Sequence, residues 1–259
     1  MITEEQIHTL AKKKRVNETV IFREYLQVFF LSRLYSRRES ENIFFKDGTA
    51  LHLIFKAPRF SEDLDFTVEL EEKEFLSFIW QLFRDLSKEE TVEFKERKSL
   101  AGKRFLLTAA AGALSYKTFI NLDFSFREKI FEPQKSIIET DYPVLFTSYV
   151  YHPSQNEVFA EKIRAFVTRS KGRDLYDLWY LITQGARFDM YLVKEKLRYY
   201  DLENIISEDK ILKTIEGFSK KDFILDMRPL VPINERDKLG DFFDYISDYI
   251  KNYLSRKNQ

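Results

Sequence analysis

A short stretch sets the strongest limits on how this chain can fold: Lys46-Asp47-Gly48-Thr49-Ala50-Leu51, followed by Arg59-Phe60-Ser61-Glu62-Asp63-Leu64-Asp65-Phe66. It reads as the end of a strand, a tight glycine turn, a short helix, and a second strand that ends in two carboxylates. Asp63 and Asp65 stand two positions apart, and on an extended strand such residues point to the same face. Carboxylates held that close repel one another and are poor occupants of a core. A divalent cation removes the conflict. Mg²⁺, or Mn²⁺ in its place, is the hard ion usually held by one or two carboxylates together with substrate phosphates. Gly48 and Thr49 supply the complement, because backbone N–H groups at a glycine turn that opens a helix attract phosphate. A cation site beside a phosphate cradle is the equipment of phosphoryl or nucleotidyl transfer. Each half alone also describes ordinary turn and cap chemistry, so their order and spacing carry the reading.

The rest of the composition fits an enzyme-sized globular protein. At 259 residues, 44% of them hydrophobic, the chain can bury one large core or two modest ones. Its 42 basic and 42 acidic side chains cancel, so net charge points to neither a nucleic-acid coat nor a membrane surface, and a local basic patch is left as the route to nucleic acid. The chain has no cysteine, which excludes disulfides and thiolate metal sites and suits a reducing cytoplasm. The N-terminal residues lack the apolar segment of a signal peptide, and no apolar run is long enough to span a membrane.

In chain order, residues 3–14 read as an amphipathic helix, with Thr3 and Gln6 spaced as a capping box. The basic run 12–15 reads as its solvated end. Residues 18–37 read as a longer, core-facing helix. A strand over 42–46 leads into the Gly48-Thr49 turn and a helix to about Phe55, with His52 as a packed side chain. Arg59 either pairs with phosphate oxygens or forms a salt bridge that orients Asp63 or Glu62. Ser61 bonds either backbone or phosphate. A helix over 71–89 precedes strands near 91–98, 103–110 and 116–126, with Gly102 and Gly112 at the joints of antiparallel hairpins. In the last of these strands Asp123 shares a face with Asn121 and Ser125. It is either a third carboxylate that completes a metal site or acts as general base, or a solvent-facing aspartate on an edge strand.

Residues 127–153, with Pro133, Pro143 and Pro153, read as a boundary, which divides the chain into 1–150 and 151–259. Beyond it the pattern is helical, roughly over 154–169, 173–184, 190–200, 203–217 and 236–256. The fold class is therefore α+β, or mixed α/β, with a helical C-terminal half. The first two of these helices carry Glu161-Lys162-Ile163-Arg164-Ala165-Phe166 and Arg173-Asp174-Leu175-Tyr176-Asp177-Leu178. Lys162 is either a point charge for a triphosphate or part of a surface salt-bridge network. Asp174, in a first helical turn, also suits the helix dipole.

These pieces together, RFSEDLDF, the preceding Gly-Thr-Ala-Leu, the LDFS strand and EKIRAFVTRSKGRDLYDLWYL, resemble the AbiEii/AbiGii-type nucleotidyltransferase toxins of the DNA polymerase β-like superfamily. The resemblance covers about residues 40–185. It implies a small mixed sheet flanked by helices, and a helical half that closes over the nucleotide. It also implies transfer of a nucleoside monophosphate from an NTP to an acceptor, with release of pyrophosphate. The family implies a separate antitoxin, often a transcriptional regulator, and relatives that modify the 3′ end of tRNA. By position, Asp63 and Asp65 resemble the metal-binding pair, Gly48 and Thr49 the phosphate-holding turn, and Lys162 the lysine on the triphosphate. Asp174 or Asp177 resembles the acidic residue of the last motif, and Asp123 the third strand carboxylate. One departure is Asp47, where family members usually carry glycine. It favours a competing reading, a protein that binds NTP without turning it over; transfer to a small molecule such as an aminoglycoside is another.

Overall fold

The computed structural model describes residues 2–99, 101–110, 117–204 and 206–255. The chain divides into two compact units, Met1–Lys56 with Phe60–Pro153, and Ala57–Arg59 with Ser154–Gln259. The expected joint at Gly112 lies outside the described residues.

The first unit opens with α1 (Glu4–Lys14) and α2 (Glu18–Tyr35). Both bonds of the Thr3/Gln6 capping box are present. Then come β1 (Ile43–Lys46), α3 (Asp47–Leu53), β2 (Leu64–Val68), α4 (Glu72–Glu89), β3 (Val92–Arg97), β4 (Lys103–Ala110) and β5 (Lys117–Ser125). The five strands form one mixed sheet in the order β1-β2-β5-β4-β3. β2 and β5 run parallel, and the other neighbours are antiparallel. Strand alternation gives the sheet two unlike faces. One buries Phe66, Phe105, Leu107, Leu122 and Phe124 against α2 and α4. Phe30 of α2 meets Phe66 edge-on at 6.3 Å between ring centroids, and Phe75 of α4 lies 4.8 Å from Phe124. The other face carries most of the strands' charged and polar residues, with Leu106 and Phe119 among them. Gly102, between β3 and β4, has φ +94°, and a Cβ there would collide with the Phe124 carbonyl oxygen, so only glycine fits this turn.

Sequence periodicity anticipates these elements with three differences. The two carboxylates open β2 instead of closing it, with Asp63 just before the strand and Asp65 within it. The stretch 127–153 contains a two-stranded antiparallel sheet of β6 (Pro133–Ser136) and β7 (Val150–Pro153). Strands of four residues ending at prolines leave too little alternation to read. Third, β5 lies in the middle of the main sheet, so Asp123 is not on an edge strand.

The second unit holds α5 (Gln155–Arg169), α6 (Gly172–Thr183), α7 (Met190–Arg198), α8 (Glu208–Glu216), α9 (Lys220–Met227) and α10 (Leu239–Ser255). Ser154 caps α5 through the backbone N–H of Glu157, and Ser207 and Ser219 cap α8 and α9 in the same way. α9 is absent from the sequence reading because only Phe223 and Met227 of its eight residues are buried. No helix among the described residues is long and apolar enough to cross a membrane.

Candidate active site

Strand register lines up five charged residues in a single row across the first unit's sheet. Lys46 of β1 stands opposite Asp65 of β2, Asp65 beside Asp123 of β5, Asp123 opposite Arg104 of β4, and Arg104 opposite Arg97 of β3. All belong to the face away from the aromatic core. Asp63, two residues before Asp65, joins them as the i, i+2 spacing requires.

The segment that presents Asp63 is tied down on several sides. The buried Gln27 side chain of α2 donates to the carbonyls of Ser61 (3.1 Å) and Glu62 (3.0 Å). The Thr49 hydroxyl donates to the Asp63 carbonyl. Asn121 Nδ2 donates to Asp63 Oδ1 at 2.9 Å. Thr49 is thus buried, and its hydroxyl makes a bond that positions the Asp63 backbone. Ser61 contributes its carbonyl to the Gln27 clamp. The turn also differs from expectation. Gly48 and Thr49 lie inside the first turn of α3, and the left-handed residue is Asp47, with φ 62°. That backbone region favours glycine and tolerates aspartate, which explains how Asp47 stands where a glycine is usual.

The electrostatics of this cluster are unbalanced. Burial pushes the Asp65 carboxyl well above the usual carboxylate range, and the charges of Asp47, Asp123 and Asp63 push it further. Lys46 opposes the shift but is itself salt-bridged to Glu128, a buried pair at 2.8 Å. Burial also raises Asp123, against the pull of Arg104, whose Nε lies 2.5 Å from Asp123 Oδ1. Among the described residues no three carboxylate or imidazole side chains are gathered as a ready metal cage. Asp123 stands beside Asp65 in register, and its charge partner is Arg104. The donor set still fits a hard divalent cation, since hard carboxylate oxygens crowd here with negative charge in excess.

The remaining candidates belong to the second unit. The Arg59 guanidinium grips Asp177 through two bonds, Nε to Oδ1 at 2.5 Å and Nη2 to Oδ2 at 2.6 Å. Glu62, one of its expected partners, is met instead by Arg23 at 2.5 Å. Lys162 reaches the same Asp177 at 2.8 Å and Asp174 at 3.8 Å. Arg169 forks onto Asp174 at 2.8 and 2.7 Å. Arg59, Lys162, Asp174 and Asp177 are at most 2% exposed. The sequence reading of a surface network becomes a buried one that fastens α5 to α6. Nearby, Lys196 of α7 is buried between Glu157 (2.5 Å) and Glu161 (2.9 Å) of α5.

Sequence reasoning misses Arg104, Lys46, Glu128 and Gln27. No local motif marks them; only strand order and register bring them beside the carboxylates.

Comparison with known proteins bears on the family and the fold. A family model described as nucleotidyl transferase AbiEii toxin, type IV toxin–antitoxin system, matches residues 30–250. Among solved structures, MenT4, a nucleotidyltransferase toxin from Mycobacterium tuberculosis H37Rv, superposes with a TM-score of 0.63 at 16% identity, covering 98% of this chain and 94% of that one. JHP933 from Helicobacter pylori superposes with a TM-score of 0.57 at 18% identity, covering 93% and 96%. At such identities these structures speak for the fold alone. No curated protein matches by sequence.

Proposed function

The chain belongs to the AbiEii nucleotidyl transferase toxin family, and from that membership we propose that its transfer reaction is carried by the Asp63/Asp65 pair on the sheet face away from the aromatic core. The protein is a nucleotidyltransferase toxin, which takes an NTP and has a cognate antitoxin. What supports the residue assignment is one observation: Asp65 is pressed upward by burial and by three neighbouring carboxylates, against the pull of Lys46.

Asp63 and Asp65 would hold Mg²⁺ or Mn²⁺, which supplies Lewis-acid polarisation of the α-phosphate and charge neutralisation on the leaving pyrophosphate. Asn121 and Thr49 fix the Asp63 side chain and backbone, so the pair is oriented before substrate arrives. The backbone N–H groups of Gly48 and Thr49 face the nucleotide's phosphates. The acceptor hydroxyl oxygen bonds to the α-phosphorus while the bond from that phosphorus to the bridging oxygen breaks, and pyrophosphate leaves with the electron pair. Asp123 Oδ2 takes the hydroxyl proton, because Oδ1 is held by Arg104. Burial raises this carboxyl and so makes it the stronger base. Arg59, Lys162, Asp174 and Asp177 brace the helical unit from inside. The acceptor is the hydroxyl end of an RNA, with tRNA first among candidates, and the antitoxin is a separate transcriptional regulator.

Incubation with each α-labelled NTP, Mg²⁺ and total bacterial RNA tests this reading. Label should enter RNA with the intact protein and not with the Asp63→Ala/Asp65→Ala variant. Label confined to small molecules, or equal labelling by the variant, would overturn it.

A further inference from the structure

The charged row on the face away from the aromatic core does not end at the carboxylates. Beyond Asp123 it continues into Arg104 and Arg97, which stand directly opposite each other on neighbouring antiparallel strands. Like charges in that relation destabilise a sheet unless something lies between them. Arg104 spends its Nε on Asp123, and among the described residues its two terminal nitrogens have no hydrogen-bond partner. Its side chain is 46% exposed. Arg97 is exposed and makes no ion pair among the described residues. Two open guanidinium groups side by side match one phosphate. The next row along the same face holds Lys95, Leu106 and Asn121, and the row after it Glu93, Thr108 and Phe119. Phe119 is a large aromatic left 49% exposed on a central strand, a surface on which a nucleobase can stack. The net charge of the protein is zero, so this basic pair is a local feature and not part of a general coat.

We propose that Arg97 and Arg104 together hold a backbone phosphate of the RNA acceptor, with Phe119 stacking one of its bases, so that the strand's terminal hydroxyl is delivered to Asp123. The assignment rests on the nucleic-acid acceptor proposed above. It gives the two ends of the row different substrates: the nucleotide lies at Asp63 and Asp65, the acceptor beyond Asp123. A guanidinium that bonds Asp123 and a phosphate at once also fixes the distance between the acceptor's backbone and its base.

The test uses a labelled single-stranded RNA of about 12 nucleotides, within the usual site size for such surfaces, and the full-length protein. RNA affinity is measured across a salt series, and the KM values for NTP and RNA are measured separately. The Arg97→Gln/Arg104→Gln variant should flatten the dependence of log K on log salt by about 0.7, the contribution of one phosphate on a single strand. Arg97→Gln alone leaves Asp123 its arginine and should raise the KM for RNA several-fold while nucleotide affinity, measured without RNA, stays put. Arg104→Lys should keep the salt slope and lose part of the affinity. Phe119→Ala should weaken RNA binding about tenfold without changing the slope. An unchanged slope in the double variant, while the parent still labels RNA, overturns the proposal and leaves the function standing. A raised KM for NTP with unchanged RNA binding would assign the arginines to the nucleotide and also overturn it. A parent protein that neither binds nor labels RNA overturns both readings.

Discussion

The two units each hold a knot of acidic side chains, and the two knots are built on opposite principles. In the helical unit Asp174 and Asp177 are fully buried, yet each oxygen has a cation: Arg59 and Lys162 on Asp177, Arg169 and Lys162 on Asp174. In the sheet unit Asp63, Asp65 and Asp123 are only half-buried, yet their charges are underbalanced. Evenly paired charges hold structure together and leave little for a ligand to do. Unbalanced ones store repulsion that a bound cation releases. Carboxylates alone therefore do not mark a site; their unpaired remainder does.

The largest effect should come from removing a charge where charges are in excess. Asp65→Asn should cut nucleotidyl transfer by orders of magnitude, measured as label incorporation, while thermal unfolding shows no loss of stability. The balanced knot should respond the other way. Asp177→Ala withdraws a carboxylate from between Arg59 and Lys162, and should cost about 3–5 kcal/mol in urea unfolding. If that variant melted like the parent, the contrast between the knots would fail.

A third carboxylate separates charge balance from location. Glu24 lies in the sheet unit but is balanced. Burial alone would raise it, yet His52 and Lys14 beside it hold it down to about 2, from an ordinary 4.5. A carboxyl depressed on folding stabilises fully above its unfolded value. That contribution, about 3 kcal/mol by linkage, should disappear as pH falls from 4.5 towards 2. Glu24→Gln should flatten stability against pH in that window. The smallest effect belongs to Asp47. Asp47→Gly relieves a left-handed backbone and removes one charge beside Asp65. It should stabilise the protein by about 1 kcal/mol, read from urea unfolding.

Legibility in the sequence follows the same division between local and distant causes. Asp63 and Asp65 are readable because the alternation of a strand acts over two residues. The long helices are readable because their apolar period repeats several times. Asp123 is readable as a candidate third carboxylate, but its exact register with Asp65 depends on β5 crossing back to lie parallel to β2. Arg104 and Arg97 need two further registers and leave no local mark. Lys162 and Asp177 look like surface charges in any window, and only the packing of α5 and α6 buries them. The positive φ of this turn belongs to Asp47, and aspartate in that backbone region does not announce itself in sequence.

The central claim is that the underbalanced pair takes a divalent cation. Mn²⁺ binding followed by electron paramagnetic resonance, with NTP present, tests it most directly in the parent and in Asp65→Asn of unchanged circular dichroism. The account predicts saturable Mn²⁺ binding by the parent, and its loss, together with the loss of transfer, in Asp65→Asn. Equal Mn²⁺ affinity and equal transfer in the two proteins would contradict it.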